Sequence, residues 1–416
     1  LKIKTEFGYD WYTNYDMRFY GKTTYYAREN VHTEAYKRMP ALQLANTDRH
    51  RFRNTNTITY DFKALLGKDS KHHLNAMAGH EYVITKKRVN TDMLEGFPSS
   101  FDFETARKLT TQGHPYSVTD AYSPDDKLLS WFGRVNYDFD SKYLLSATFR
   151  ADASSKFAKG NRWGYFPSVA LAWRISSEPF MKGTEKWLDD LKLRLSYGTA
   201  GNNGIDPGYL KQDLIDKKIE YVNGFSSYMG LTTRMANPDL KWETTITRNL
   251  GLDITIFGGK FNASLEAYWN TTKDLLIDYR MSGAYTSQYR NLGETENKGF
   301  EASFTYHIVN KKDWGIDFSG NIGFNKSKIN SLGENFNPYT TTGCLGSTEI
   351  PNDYVLQVGQ PVGLIFGYVS DGRYEVSDFE GYNESTGEWI LKPGVVNGNA
   401  FIQNHTTRPG DMKVKD

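Results

Sequence analysis

His72 and His73 are the one adjacent histidine pair in the chain, and histidine is the side chain most often found on transition metals. Successive side chains of a strand point to opposite faces, so neighbours of this kind do not close on one ion. The single cysteine, Cys344, stands in Thr341-Thr342-Gly343-Cys344-Leu345-Gly346, where it has no disulfide partner and no histidine to activate it. Asp189 and Asp190 read as a solvated turn entering a strand. No Gly-x-Ser-x-Gly elbow, His-Glu-x-x-His pair or Walker loop occurs. The pattern points away from catalysis, from a bound metal and from a cofactor.

Polar recognition remains. Arg134, Arg150, Arg174 and Arg194 recur at polar positions of four successive strand-like segments, and Asp138, Glu266 and Glu301 occupy polar positions as well. The arginines form either a basic stripe or, by pairing across strands, a neutral lattice. Between the strands, Tyr116, Tyr122, Tyr209, Phe225, Tyr228, Tyr285, Tyr289, Phe336 and Tyr339 could stack on sugar rings or hold peptide side chains. They could equally pack the connections against one another.

The elements that must position these groups are strands. In Leu191-Lys192-Leu193-Arg194-Leu195-Ser196-Tyr197 every odd position is apolar or aromatic and every even one polar, the period of a half-buried strand. The same alternation recurs in Tyr143, Leu145, Ala147 and Phe149, in Leu250, Leu252, Ile254 and Ile256, and in Phe300, Ala302, Phe304, Tyr306 and Ile308. It predicts about twelve strands near 1–12, 15–27, 50–66, 72–86, 129–140, 142–152, 164–176, 189–200, 243–257, 260–273, 296–310 and 313–327. Most are ten or so residues long, as a tilted membrane strand requires, where strands of soluble proteins usually run to about five or six. Tight turns at 140–141, 257–259 and 310–312 alternate with long connections near 87–128, 201–242 and 274–295, the parity of an outer-membrane barrel. The connection 177–188 is longer than its parity asks, and Glu185-Lys186-Trp187-Leu188 suggests a helical turn there. Tyr137, Phe139 and Tyr143 at one tight turn, with Phe257 and Phe261 at another, suit an interfacial girdle.

Composition sets the bounds. The chain has 416 residues, 15% of them aromatic, and a net charge of +1, so no global field draws nucleic acid. Its mean hydropathy of −0.61 excludes a bundle of membrane helices. The expected fold is therefore all-β, an antiparallel transmembrane barrel whose apolar face meets lipid; a soluble β-sandwich binding carbohydrate is the competing architecture. On this facing, Leu195→Arg should cost about 2 to 4 kcal/mol near the midplane, and Arg194→Gln should barely change stability.

Longer motifs lie along the same segments. They include Trp131-Phe132-Gly133-Arg134-Val135-Asn136-Tyr137, Asn161-Arg162-Trp163-Gly164-Tyr165-Phe166-Pro167-Ser168, Asn237-Pro238-Asp239-Leu240-Lys241-Trp242-Glu243 and Asn297-Lys298-Gly299-Phe300-Glu301. Further stretches at 143–148, 152–157, 187–198, 359–363, 367–372 and 410–413 follow in order. In these residues the chain resembles the SusC/RagA family of TonB-linked outer-membrane transporters of Bacteroidetes-type bacteria. The resemblance implies a barrel of about 22 strands closed by a plug, energised through TonB and capped by a SusD-like lipoprotein that captures oligosaccharides or peptides. Ala153, Ala200 and Arg373 depart from the family's usual residues and change little. Residues 1–416 are then expected to be a partial barrel with long outer loops, lacking the plug, the signal peptide and the last strands. An open sheet of this kind leaves two unpaired edges, which lipid does not tolerate. A passive porin or a surface-adhesin barrel is the alternative function.

Overall fold

The computed structural model describes residues 1–67, 69–123, 125–205, 215–222, 226–231, 234–281, 283, 285–333, 339–341, 354–365, 367, 369–397 and 406–414. The chain forms two compact units, Leu1–Leu292 with Lys298–Phe324, and Gly293–Asn297 with Asn325–Asp416.

Period-two alternation is obeyed almost throughout the first unit. Its strands are β1 (Lys2–Tyr20), β2 (Ala41–Asp61), β3 (His72–Glu95), β4 (His114–Tyr122), β5 (Asp126–Phe139), β6 (Tyr143–Ser154), β7 (Trp163–Arg174), β8 (Leu188–Asn202), β9 (Ile215–Val222), β10 (Ser226–Leu231), β11 (Arg234–Met235), β12 (Glu243–Ile256), β13 (Phe261–Lys273), β14 (Leu276–Arg280), β15 (Ser287–Asn291) and the larger parts of β16 (Glu294–Asn310) and β17 (Gly315–Ser331), whose residues 294–297 and 325–331 belong to the second unit. Eleven long strands lie side by side in the order β1-β2-β3-β5-β6-β7-β8-β12-β13-β16-β17. The sheet forks at β3: residues 72–85 pair with β5, while residues 88–95 pair with β4, which leads on to β9 and β10.

The expected pair of strands at 1–12 and 15–27 is one strand. Thr13 and Asn14, which resemble a turn, pair in register with Asp48 and Thr47 inside an unbroken antiparallel ladder. The wall among the described residues therefore has eleven long strands where the sequence suggests about twelve. β2 and β3 also run farther than their alternation indicates, because both continue into the outer branch of the fork.

Registers decide which side chains share a face. Tyr137, Leu145, Leu171, Leu195, Leu250 and Ala267 are successive cross-strand partners on six strands, one continuous apolar row. Leu171, Leu195 and Leu250 are each about half exposed, and Phe149, Tyr165 and Trp269 on the same face are exposed as well. No second sheet packs on this row among the described residues, as a sandwich would need. An exposed apolar face on this scale is stable only against another apolar medium. The opposite face carries the alternate, mostly polar residues.

Turns follow from local chemistry. Asp140 and Ser141 both take positive φ, and Lys142 N–H donates to Phe139 C=O at 3.0 Å, a turn whose twist matches the strands it joins. In the connection 175–187 the helical turn lies earlier than Glu185, at Pro179–Thr184, where proline supplies the fixed φ of a first helical residue.

Two small cores clamp the long connections. Phe157, Phe166, Ile205, Leu240 and Trp242 bury one another, and Trp242 Nε1 donates to Arg162 C=O at 2.8 Å. Gly201 is indispensable here, since a Cβ on it would lie 2.0 Å from the Phe166 ring. Leu42, Phe97 and Ala106 form the second core beside helix Phe103–Lys108, whose N-cap Asp102 accepts from Thr105 N–H. That hydrogen bond holds the Asp102 carboxyl below its ordinary range. No helix among the described residues is long and apolar enough to cross a membrane.

The second unit contains short strands, Tyr339–Thr341, Tyr354–Leu356, Leu364–Ile365, Ser370–Arg373, Phe379–Asn383, Glu388–Leu391 and Met412–Val414. Tyr374 is its buried centre: the hydroxyl donates to Val396 C=O at 2.6 Å and the ring packs on Phe379. Lys413 bonds Asp378 at 2.8 Å and holds its carboxyl below the usual range.

Candidate functional site

The polar face of the wall gathers the arginines singled out from the sequence. Arg134 pairs across with Thr148, Arg150 with Phe132 and Phe166, Ala172 with Arg194, and Arg174 with Lys192, so all four side chains leave the sheet on one side. They do not form a free basic stripe. Arg194 Nε and Nη2 donate to the two carboxylate oxygens of Asp253, each at 2.9 Å, and Nη2 also reaches Glu266 at 2.7 Å and Ser264 at 3.2 Å. Lys192 joins Asp253 at 3.0 Å, and Asn249 donates to the second oxygen of Glu266.

Gly251 makes this reach feasible. It stands between Arg194 and Glu266 on β12, and a Cβ there would lie 2.8 Å from the guanidinium carbon. Two cations and two carboxylates thus balance across β8, β12 and β13. The expectation that Arg194→Gln would barely matter needs revision, because the guanidinium joins three strands.

Arg150 builds a second node with Asp152 at 2.8 Å, Ser130 at 2.8 Å and Glu81 at 3.5 Å, and its guanidinium lies over Phe132. Arg134 donates to Ser146, which in turn donates to Asn136. Arg174 Nε lies 3.3 Å from Asp190, an ionic contact without the alignment of a hydrogen bond. Asp138 faces His73 at 3.6 Å, not an arginine. Glu301 has no ion-pair partner among the described residues; with Glu266, Ser303 and Asn321 it lines a polar concavity of about 450 Å³. A larger concavity of about 660 Å³ is mainly apolar, with Leu74, Leu144, Leu145, Leu171 and Leu195 on its wall beside Asn136, Ser146 and Arg194. The polar face can exchange hydrogen bonds with a polar solute, and among the described residues most of its charges, Arg134 and Glu301 apart, are already paired.

Among the described residues the loop aromatics do not converge. Tyr116 on β4 stacks on His32 with centroids 3.7 Å apart. His32 N–H and Tyr26 O–H both donate to the fully buried Glu95, and burial, then Glu95 itself, pushes the Tyr26 phenol up. Tyr289 packs against the Trp242 core with Arg234 over its ring. Tyr285 is half-buried in the turn between β14 and β15. Tyr209, Phe225, Phe336 and Cys344 lie outside the described residues, as do the side chains of Tyr122, Tyr228 and Tyr339. Of the girdle aromatics, Tyr143 donates to Glu178 at 2.6 Å, and Trp173 donates to the same oxygen.

Asp253, Lys192 and Ser264 escape notice in the sequence, although alternation puts them on the polar face. Their partnership depends on register, which no single strand reveals.

Comparison with known proteins agrees with this architecture. Residues 2–400 match the family described as TonB dependent receptor-like, beta-barrel. TonB-dependent receptor P3 of Formosa agariphila is 30% identical over 384 residues, which are 91% of this chain and 36% of that protein. TonB-dependent receptor SusC of Bacteroides thetaiotaomicron is 38% identical over 218 residues, 51% of this chain and 22% of SusC. The structure of the RagAB peptide transporter superposes with a TM-score of 0.66 and 28% identity, over 95% of this chain and 40% of that one. The chain thus spans between about a fifth and a third of the length of the curated relatives it matches. Relatives of this kind are outer-membrane transporters and receptors. With its lipid-compatible apolar face, its polar opposite face and a match along nearly its whole length, the chain belongs to the TonB-dependent receptor β-barrel family, among the SusC/RagA members.

Proposed function

We propose that this chain is part of the barrel wall of an outer-membrane importer, with the arginine–carboxylate face lining the lumen. The observation that carries the reading is the register-matched split of eleven long strands into an exposed apolar face and a polar, charge-paired one. A lining whose charges are for the most part mutually satisfied lets hydrated oligomers pass without a deep energy well, which suits transport better than storage. Energy would come through TonB, acting on a plug carried elsewhere in the whole protein. A SusD-like lipoprotein would deliver oligosaccharides or peptides from outside. The long outer connections would be the surface that meets that cargo.

The test is uptake of fluorescent maltoheptaose and of a fluorescent hexapeptide by cells carrying the full-length receptor, with and without functional TonB. Uptake of either that disappears with TonB supports active import. Uptake that persists without it describes a passive pore.

A further inference from the structure

The hairpin of β14 and β15, with β11 beside it, carries three arginines, Arg234, Arg280 and Arg290, against one carboxylate, Asp278. Arg234 is consumed by Asp278 at 2.8 Å and by Ser287. Arg290 is held differently. It shares a face with Tyr279 and Gln288, because Ile277 pairs with Arg290 and Tyr279 with Gln288. The guanidinium lies over the Tyr279 ring, 4.2 Å from its centroid. Its Nε donates at 2.7 Å to Gln288, which is itself buried and fixed by donation to Ala236 C=O at 2.9 Å. Among the described residues the two terminal nitrogens of Arg290 have no acceptor.

A stacked guanidinium with one edge tied down and its terminal nitrogens unspent has lost much of its rotamer freedom before any ligand arrives. Its planar fork matches a carboxylate in two parallel hydrogen bonds. The surplus of positive charge on the hairpin adds attraction, and the hairpin is steady: Asn237 Nδ2 donates to Tyr289 C=O, and Lys241 N–H to Asn291. We infer that the β14–β15 hairpin is a recognition platform for a carboxylate of the cargo, with Arg290 as donor and Tyr279 as its floor. The inference rests on the importer reading and narrows it to acidic oligomers, either a uronate-containing glycan or a peptide with a free carboxylate.

The full-length receptor in detergent is titrated calorimetrically with two matched pairs, tetragalacturonic acid against its methyl ester and tetra-alanine against its C-terminal amide. One acid should bind about tenfold more tightly than its neutral counterpart, and R290Q should abolish that preference. R290K keeps the charge but loses the fork, and Y279L keeps the charge but loses the floor, so each should retain only part of the preference. The pair that shows the preference identifies the source of the carboxylate. Equal binding within both pairs, no binding of any probe, or a preference that survives R290Q overturns the platform and leaves import standing. Uptake that continues without TonB refutes import while the carboxylate preference stands.

Discussion

Leu195→Arg and Ser196→Arg put the same guanidinium on adjacent residues of β8 that face opposite ways. Leu195 is 54% exposed and flanked in its row by Leu171 and Leu250. With a rise of about 3.4 Å per residue and a tilt of roughly 40°, it lies about 18 Å along the membrane normal from Leu188, inside an apolar band about 25 Å tall. Counted from Leu188 this is about 6 Å past the middle of the band, so arginine there should cost about 1 to 3 kcal/mol, less than at the midplane itself. Ser196 points to the polar face between Ala170 and Asn249, where water reaches a long side chain, so the cost should stay below about 1 kcal/mol. Urea titration of the full-length receptor in lipid vesicles, followed by tryptophan fluorescence, measures both. Equal losses, or a larger loss for Ser196→Arg, would refute the facing of the entire wall, because one register fixes every strand beside it.

Arg194→Gln should destabilise the receptor by about 1 to 2 kcal/mol. A cycle with Asp253→Asn should give a coupling near 1 kcal/mol, reduced from the value of a buried pair because both side chains are about a third exposed. Gly201→Ala should cost about 1 to 3 kcal/mol by driving Cβ into Phe166, and limited proteolysis should then cut the 203–242 connection faster; unchanged cleavage would mean that the Trp242 core does not clamp it. The Asp378 carboxyl is depressed by Lys413, so its contribution is present above the unfolded carboxyl value and is lost as pH falls through the lower folded one. Asp378→Asn should therefore flatten the acid limb of thermal stability below about pH 4, read by calorimetry, and an unaltered acid limb would remove Asp378 from the account.

Facing was legible because side-chain alternation is a local property. Leu191, Leu193, Leu195 and Tyr197 declare their side of β8 with no knowledge of the neighbouring strands. Strand ends were harder to read. Thr13 and Asn14 have the chemistry of a turn, and only the ladder to β2 holds them extended. The four arginines were found on their common face, but their partners were not. Asp253 lies 59 residues from Arg194 in sequence, and Gly251, which clears the path to Glu266, has no side chain to announce itself. The Arg290 platform was hidden for a similar reason: its parts lie on two short strands inside what reads as one connection.

The fork at β3 has a consequence for how such receptors can diversify. β1, β2 and β3 carry one uninterrupted phase from the membrane wall into the outer branch, where β4 follows it as far as a bulge opposite Met93 and Leu94, and β9 pairs with β4 in turn. A single inserted residue on β3 above the fork, where no bulge absorbs it as one does opposite Leu94, would invert the side chains beyond it, taking Glu95 away from Tyr26 and His32. Insertions of two residues, matched strand for strand, would preserve the phase and simply raise the outer architecture by one repeat. The height of that branch can therefore change in quantised steps while the lipid-facing frame below stays as it is.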